Sequence, residues 1–258
     1  MTPYQLWVAF TGILIKEMTR FTRIWPQTLL PSAISAALYF MIFGQVIGGR
    51  IGSMDGFAYI VFITPGLIMM AAITNSYSNV VGSFYGMRFS RAVEELLVSP
   101  TPNWMIVMGF AGGGIARGLL VGLLVWLIGA LFTGLSVQHV LLTLLTLVLC
   151  SSVFALAGFL NAIFARKFDD TAIVPTFVLT PLIYLGGIFY NVDNLPAFWQ
   201  SVSKFNPIHY VIELFRYSML GTSGTIPWQL LLTIVFALAA ILFGLCWWCL
   251  HKGLGVKA

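Results

Sequence analysis

Six long apolar runs, at about 27–49, 57–83, 104–133, 137–164, 171–190 and 226–250, set the terms for anything this chain can fold into. Each spans or nearly spans a hydrocarbon layer of roughly 30 Å when wound at about 1.5 Å per residue. Keeping that much apolar surface in water would take a charged shell, and only 8% of the 258 residues are charged against 59% hydrophobic. A soluble domain carries roughly 25% charged residues. The reading is an all-α integral membrane protein, one domain over 1–258 with six transmembrane helices. The first 25 residues interleave apolar positions with Lys16, Glu17, Arg20 and Arg23, unlike a cleavable signal peptide.

The net charge of +5 is scattered through short segments between the runs, so no nucleic-acid partner is expected and the basic residues read as topology signals. Placing the N-terminus, 84–103, 165–170 and the C-terminus on one side collects Lys16, Arg20, Arg23, Arg88, Arg91, Arg166, Lys167, Lys252 and Lys257 there. Arg50, Lys204 and Arg216 fall on the other side. The positive-inside rule then puts both termini in the cytoplasm. Arg117 lies within the third run, and a charge at the bilayer centre is costly. That run is long enough to begin late and leave Arg117 toward its cytoplasmic end.

Three segments have membrane character without the length to cross. Residues 1–25 place Trp7, Phe10, Leu14, Met18, Phe21 and Trp25 at helical spacing, with Gly12, Lys16, Arg20 and Arg23 opposite. This is an amphipathic helix for the cytoplasmic interface, ended by Pro26, that serves either as an anchor alone or also as a hold on a cytoplasmic partner. Segment 84–102 predicts a short helix over 88–97 with Arg88, Arg91, Glu94 and Glu95 on one face and Phe89, Val93, Leu96 and Leu97 on the other. A plain interfacial helix has this pattern, and so does a coupling helix resting in a groove of a cytoplasmic ATPase. Residues 191–221 are apolar but interrupted at Pro196 and Asn206-Pro207. Each piece is too short to cross, so the pair reads as a re-entrant extracytoplasmic helical hairpin. His209, Glu213 and Arg216 share one face of it, which fits a Glu213–Arg216 ion pair beside a histidine or a part in substrate release.

Catalytic motifs are missing. None of the five lysines precedes Ser or Thr, so there is no phosphate-binding GxxxxGK[ST] loop, and Gly112, Gly113 and Gly114 lie inside an apolar run where they allow close helix packing. Gly221-Thr222-Ser223-Gly224 reads as a turn rather than an intramembrane protease motif. Cys246 and Cys249, three apart on a helix, read as packing residues rather than a metal or redox site.

FITPGLIMMAAITNSYSN in the second run, RAVEELLVSP after it, and TPLIYLGGIFY followed by LPAFWQSVSKFNPIHYVIELFR around the fifth resemble, in order and spacing, the type-2 ABC permeases, specifically the YadH-like inner-membrane branch. The resemblance covers nearly the whole chain. It implies the membrane subunit of a bacterial inner-membrane exporter, paired with a second copy of itself and with two copies of an ABC ATP-binding subunit, in contact with membrane lipid. ATP and Mg2+ would be bound by the partner ATPase and no cofactor by this chain, which is then not itself an enzyme. The coupling helix would carry Arg88, Arg91, Glu94 and Glu95. The cargo would be a hydrophobic drug, a lipid-linked molecule or a polysaccharide.

Polar residues at helical spacing inside the runs, Asn75, Ser76, Asn79, Thr180 and Tyr184, are candidates for the substrate pathway, although interhelical hydrogen bonding would place the same types there. An ion-coupled secondary transporter or channel is the main alternative. Such carriers usually bury Asp or Glu within spans, and here the acidic residues fall outside the six runs.

Overall fold

A computed structural model describes residues 2–255 apart from Ser223 and Thr225. Its helices are α1 (Pro3–Arg23), α2 (Trp25–Ile51), α3 (Tyr59–Phe89), α4 (Ala92–Val98), α5 (Asn103–Thr133), α6 (Val140–Phe164), α7 (Asp170–Leu185), α8 (Ala197–Lys204), α9 (Pro207–Leu220) and α10 (Trp228–Lys252). Between α2 and α3 sits a minimal antiparallel hairpin, Ser53–Met54 against Phe57–Ala58. Asp55 and Gly56 both have positive φ, 52° and 82°, the mirror-image turn that matches strand twist and favours Asp-Gly.

Among the described residues, α2, α3, α5, α6 and α10 are long and apolar enough to cross a membrane. α7 is where structure and expectation part. The run to 190 stops as helix at Leu185, because Gly186 and Gly187 turn the chain and Gly187 takes a φ of 86°. The helix is also irregular. Pro181 has no N–H to donate back, and Thr180 N–H reaches five residues to Pro175 O, giving a π-helical stretch over Pro175–Leu179.

α3 is the central helix. Its apolar window is 72% buried, against 12% for α2 and 17% for α10, and it packs most extensively on α5 and α6. That agrees with a helix whose apolar residues are spread around its circumference rather than gathered on one face. Lipid tails are as apolar as leucine, so spans are held together by close packing rather than by expulsion of water. α5 supplies the required small residues. Gly109 and Gly113 face Ile13 and Glu17 of α1, and Gly114, Gly118 and Gly122 face Val80, Ser76, Ser151 and Leu147 of α3 and α6. A Cβ at Gly118 would fall on both serine hydroxyls. Gly118→Leu is therefore expected to cost about 1–3 kcal/mol of stability, read as a lowered Tm in detergent. An unchanged Tm would mean the three helices are not in this register.

Chain alternation groups the helix ends. Lys16 Nζ lies 2.7 Å from Met87 Sδ, and Arg88 reaches the end of α6, so α1, the end of α3, α4, the start of α5 and the end of α6 share one end of the bundle, hereafter the α4 end. At the opposite, hairpin end, Gln138 and His139 donate backbone hydrogen bonds to Met219 and Ser218 of α9. Asn191 Nδ2 donates to Asp55 Oδ2 at 2.8 Å, tying the Asp-Gly turn to the segment after α7.

Candidate functional site

The charged helix at the α4 end is shorter and later than expected. Arg88 and Phe89 finish α3; the chain then breaks at Ser90 and Arg91, and α4 runs only from Ala92 to Val98. Arg91 adopts a left-handed φ of 59°, a conformation that costs a non-glycine residue roughly 1–2 kcal/mol. The break takes Arg88 off the charged face. Its Nη1 lies 2.8, 2.8 and 2.9 Å from the carbonyl oxygens of Ala162, Ile163 and Ala165, where it caps the C-terminal carbonyls of α6. Phe89 also leaves the apolar face and is 81% exposed. What remains on α4 is two-faced as expected. Val93 is buried among Phe84, Tyr85 and Ile106 with Leu96 and Leu97 packed against that cluster, while Arg91, Glu94 and Glu95 are exposed. Glu94 and Glu95 sit in the first turn, where a carboxylate is favoured by the helix dipole. No ion pair joins Arg91 to Glu95 among the described residues.

Arg88→Ala should release the end of α6 from α3, at a cost of about 2 kcal/mol or more for lost charged hydrogen bonds. Limited proteolysis between Ala165 and Asp169 should accelerate severalfold. Arg88→Lys, a single ammonium in place of the guanidinium, should fall between the two. Equal cleavage in all three would remove the cap from the argument.

Along α3 toward the membrane centre lies a polar chain that the sequence did not reveal. α1 does not turn all its cations outward. Glu17 is fully buried, accepting from Ser83 Oγ at 2.6 Å and pairing with Arg20 at 3.1 Å. Arg20 Nη2 also reaches Asn79 O and Oδ1, each at 2.9 Å. One turn further, Asn75 Oδ1 accepts from Arg117 Nε at 3.2 Å and Nη2 at 3.0 Å, and Asn75 Nδ2 donates to Ser32 Oγ of α2 at 3.1 Å. Arg117 stands about 21 Å along α5 from Asn103 at 1.5 Å per residue. The available signal was the i,i+3 spacing of Glu17 and Arg20, which puts both on one face of α1; nothing local pointed to Asn75 as the partner of Arg117.

The five pathway candidates separate. Ser76 and Asn79 are fully buried in helix packing. Asn75 borders a cleft of about 200 Å³ between α2 and α3, shared with Ser32, Ser35, Tyr39 and Thr74. Thr180 and Tyr184 are on the exposed side of α7, Thr180 Oγ1 donating to Pro175 O and the Tyr184 ring stacked on Phe189. The uncovered polar residues of α3 are instead Thr74 and Ser78.

At the hairpin end, α8 and α9 meet at Asn206-Pro207, with Asn206 capping α9 by accepting from Ile208 N–H. His209, Glu213 and Arg216 line a cavity of about 820 Å³ with Asp55, Asp193 and Lys204. The expected Glu213–Arg216 ion pair is not formed. Arg216 Nη2 donates to Gly187 O at 2.7 Å and its guanidinium lies 4.0 Å over the Phe62 ring. Glu213 Oε2 approaches His209 Nε2 to 3.4 Å instead. Burial pushes the His209 imidazolium below its usual range and the Glu213 carboxyl above its own, so this contact leans toward neutral forms. Cys246 and Cys249 are buried against α6, Cys246 Sγ lying 3.4 Å from Leu156 O. Ser223 of the glycine-serine turn and Lys257 of the charge count lie outside the described residues.

A bundle of long apolar helices with a short charged helix at one end is the architecture of a polytopic membrane protein. The chain belongs to the ABC-2 type transporter family, whose model matches residues 8–220. It is 50% identical over 252 residues to the inner membrane transport permease YadH of Escherichia coli (strain K12), covering 98% of each chain. Nodulation protein J of Rhizobium leguminosarum bv. viciae is 26% identical over 195 residues, 75% of each, and that of Sinorhizobium fredii (strain NBRC 101917 / NGR234) 28% identical over 182 residues, 70% of each. The protein is accordingly a multi-pass inner-membrane permease, the transmembrane subunit of an ABC transporter. Membership of that family implies an ATP-binding partner subunit.

Proposed function

We propose that two copies of this chain line the translocation pathway of an exporter and that two ATP-binding subunits, carrying ATP and Mg2+, drive it through α4. The observation that carries the reading is the uncovered stripe of α3. This helix is enclosed on its other sides, yet Thr74, Ser78, Gly82 and Gly86, four residues apart, remain exposed. Small and polar residues gain nothing from lipid and suit a facing helix or a polar conduit, so a second copy across this stripe satisfies them. Asn75, Thr180 and Tyr184 then border the pathway, while Ser76 and Asn79 hold α3 in place.

In this reading α7 is the fifth of six spans in chain order, about 24 Å long at 1.5 Å per residue and completed by the turn that follows it. The α8–α9 pair is a re-entrant extracytoplasmic hairpin, with His209, Glu213 and Arg216 at its cavity. α1 is the interfacial helix, and the α4 end, with most of the basic residues, is cytoplasmic, as are both termini. Arg91, Glu94 and Glu95 meet the ATPase directly, Val93 and its neighbours anchor α4, and Arg88 positions it. The cargo class is that of the family's exporters, a hydrophobic drug, a lipid-linked molecule or a polysaccharide.

Ser78→Cys tests the arrangement. In membranes holding the chain and its ATP-binding partner, an oxidant should form a disulfide between two copies through this position, and the purified chain alone should show no ATPase activity. Absence of the cross-link would dismiss the paired pathway, and substrate movement by the chain alone down an ion gradient would favour a secondary transporter.

A further inference from the structure

We propose that Arg117 recognises an anionic group on the transported molecule, so that the cargo is an amphiphile bearing a phosphate or carboxylate; this deepens the exporter reading and rests on it. Arginine keeps its charge at any accessible pH. Of the two cations that bond asparagines of α3, Arg20 has a carboxylate partner in Glu17. Arg117 has none among the described residues, since its Nε and Nη2 share the single neutral oxygen of Asn75. Nη1 has no hydrogen-bond partner there either, and the side chain is only half-buried, so a ligand can reach it.

Depth sharpens the problem. Both Arg117 and Asn75 stand near the middle of 31-residue helices, one turn beyond Asn79, the partner of Arg20 on α1. A lone cation at that depth needs a counter-charge or a polar cleft. The structure supplies the cleft. Asn75 stands between Arg117 and the opening of about 200 Å³, whose lining is largely apolar and also carries Ser32, Ser35, Thr74 and Tyr39. Ser32 and Thr74 donate to the carbonyls of Thr28 and Met70, which leaves Ser35 and Tyr39 as donors for a ligand. Two hydroxyl donors backed by an unpaired guanidinium suit an anionic headgroup, and the apolar part of the lining suits the tail attached to it.

The test uses the complex of this chain with its ATP-binding partner in phosphatidylcholine nanodiscs, with hexadecyl phosphate as the probe and hexadecanol as its uncharged counterpart. Hexadecyl phosphate should raise the Tm of the wild-type complex and hexadecanol should not. R117K should retain the response, whereas R117Q should need about tenfold more probe or show none. N75D avoids truncation by placing a carboxylate where Arg117 already donates, so it should keep a folded complex and lose the response. Equal responses to both probes, or an unchanged response in R117Q and N75D, would overturn the proposal. In matched proteoliposomes, ATP-driven movement of hexadecyl phosphate but not hexadecanol supports it. Arg117-dependent binding with no ATP-driven movement of any amphiphile would count against the exporter reading while the anion site stood. If phosphatidylglycerol reproduces the Arg117-dependent shift and is not transported, the anion is a resident lipid headgroup and the cargo assignment falls.

Discussion

Reversing Glu94 and Glu95 together to Lys is expected to lower ATP-driven transport at least about tenfold while the chain still inserts and folds. Both carboxylates are exposed on α4, and the helix is held from beneath by Val93, so the substitution changes the surface offered to the partner rather than the core. Juxtaposing like charges across an interface costs several kcal/mol, and each 1.4 kcal/mol is about tenfold in affinity. The reversal also sets two cations against the N-terminal helix dipole, costing about 0.3–1 kcal/mol each. Glu94→Gln with Glu95→Gln removes charge without repulsion and should fall between wild type and the reversal. The measurements are co-purification of the ATP-binding subunit and substrate-stimulated ATPase. Full assembly and activity in the double reversal would mean that α4 is a solvated interfacial helix and nothing more.

Glu17→Ala should be among the most destabilising single changes in the chain, by about 3–5 kcal/mol. It leaves the Ser83 hydroxyl without its acceptor and Arg20 without its carboxylate, beside Asn79 and in reach of Arg117. Because Arg20 is 33% exposed, water compensates part of the loss and the lower half of that range is expected. Glu17→Gln keeps an acceptor for Ser83 and should lose less. Removing both partners, Glu17→Ala with Arg20→Ala, should recover part of the Tm lost in the single change. If the double loss equals the sum of the two singles, the pair is not coupled.

Much of the fold was legible because a span in lipid must satisfy its own backbone hydrogen bonds. The third apolar run, read as 104–133, is the helix Asn103–Thr133, and the fourth, read as 137–164, is Val140–Phe164. The break at Asn206-Pro207 is also where the sequence placed it, since proline ends one helix and asparagine caps the next. Other boundaries were not visible. Nothing in Arg88-Phe89-Ser90-Arg91 announces a helix end, as no glycine or proline is present; α3 stops there because Arg88 is drawn onto the carbonyls of α6, 74 to 77 positions away. α7 ends five residues before its apolar run does because Gly187 turns the chain beneath α9, where Arg216 takes its carbonyl.

The candidate site divides along the same line. Sequence alone determined that this is a polytopic membrane protein with a short two-faced helix, read at 88–97 where the structure has Ala92–Val98, because hydropathy and helical periodicity are local properties that each segment carries by itself. Tertiary structure alone decided which polar residues are spent on packing and which remain available. Glu17 meets Ser83 across 66 positions, Arg20 meets Asn79 across 59, and Arg117 meets Asn75 across 42. In a bilayer a charge is tolerated only where a distant segment brings it a partner, so the pairing of Glu17 and the unpaired charge of Arg117 became visible only once the helices were assembled.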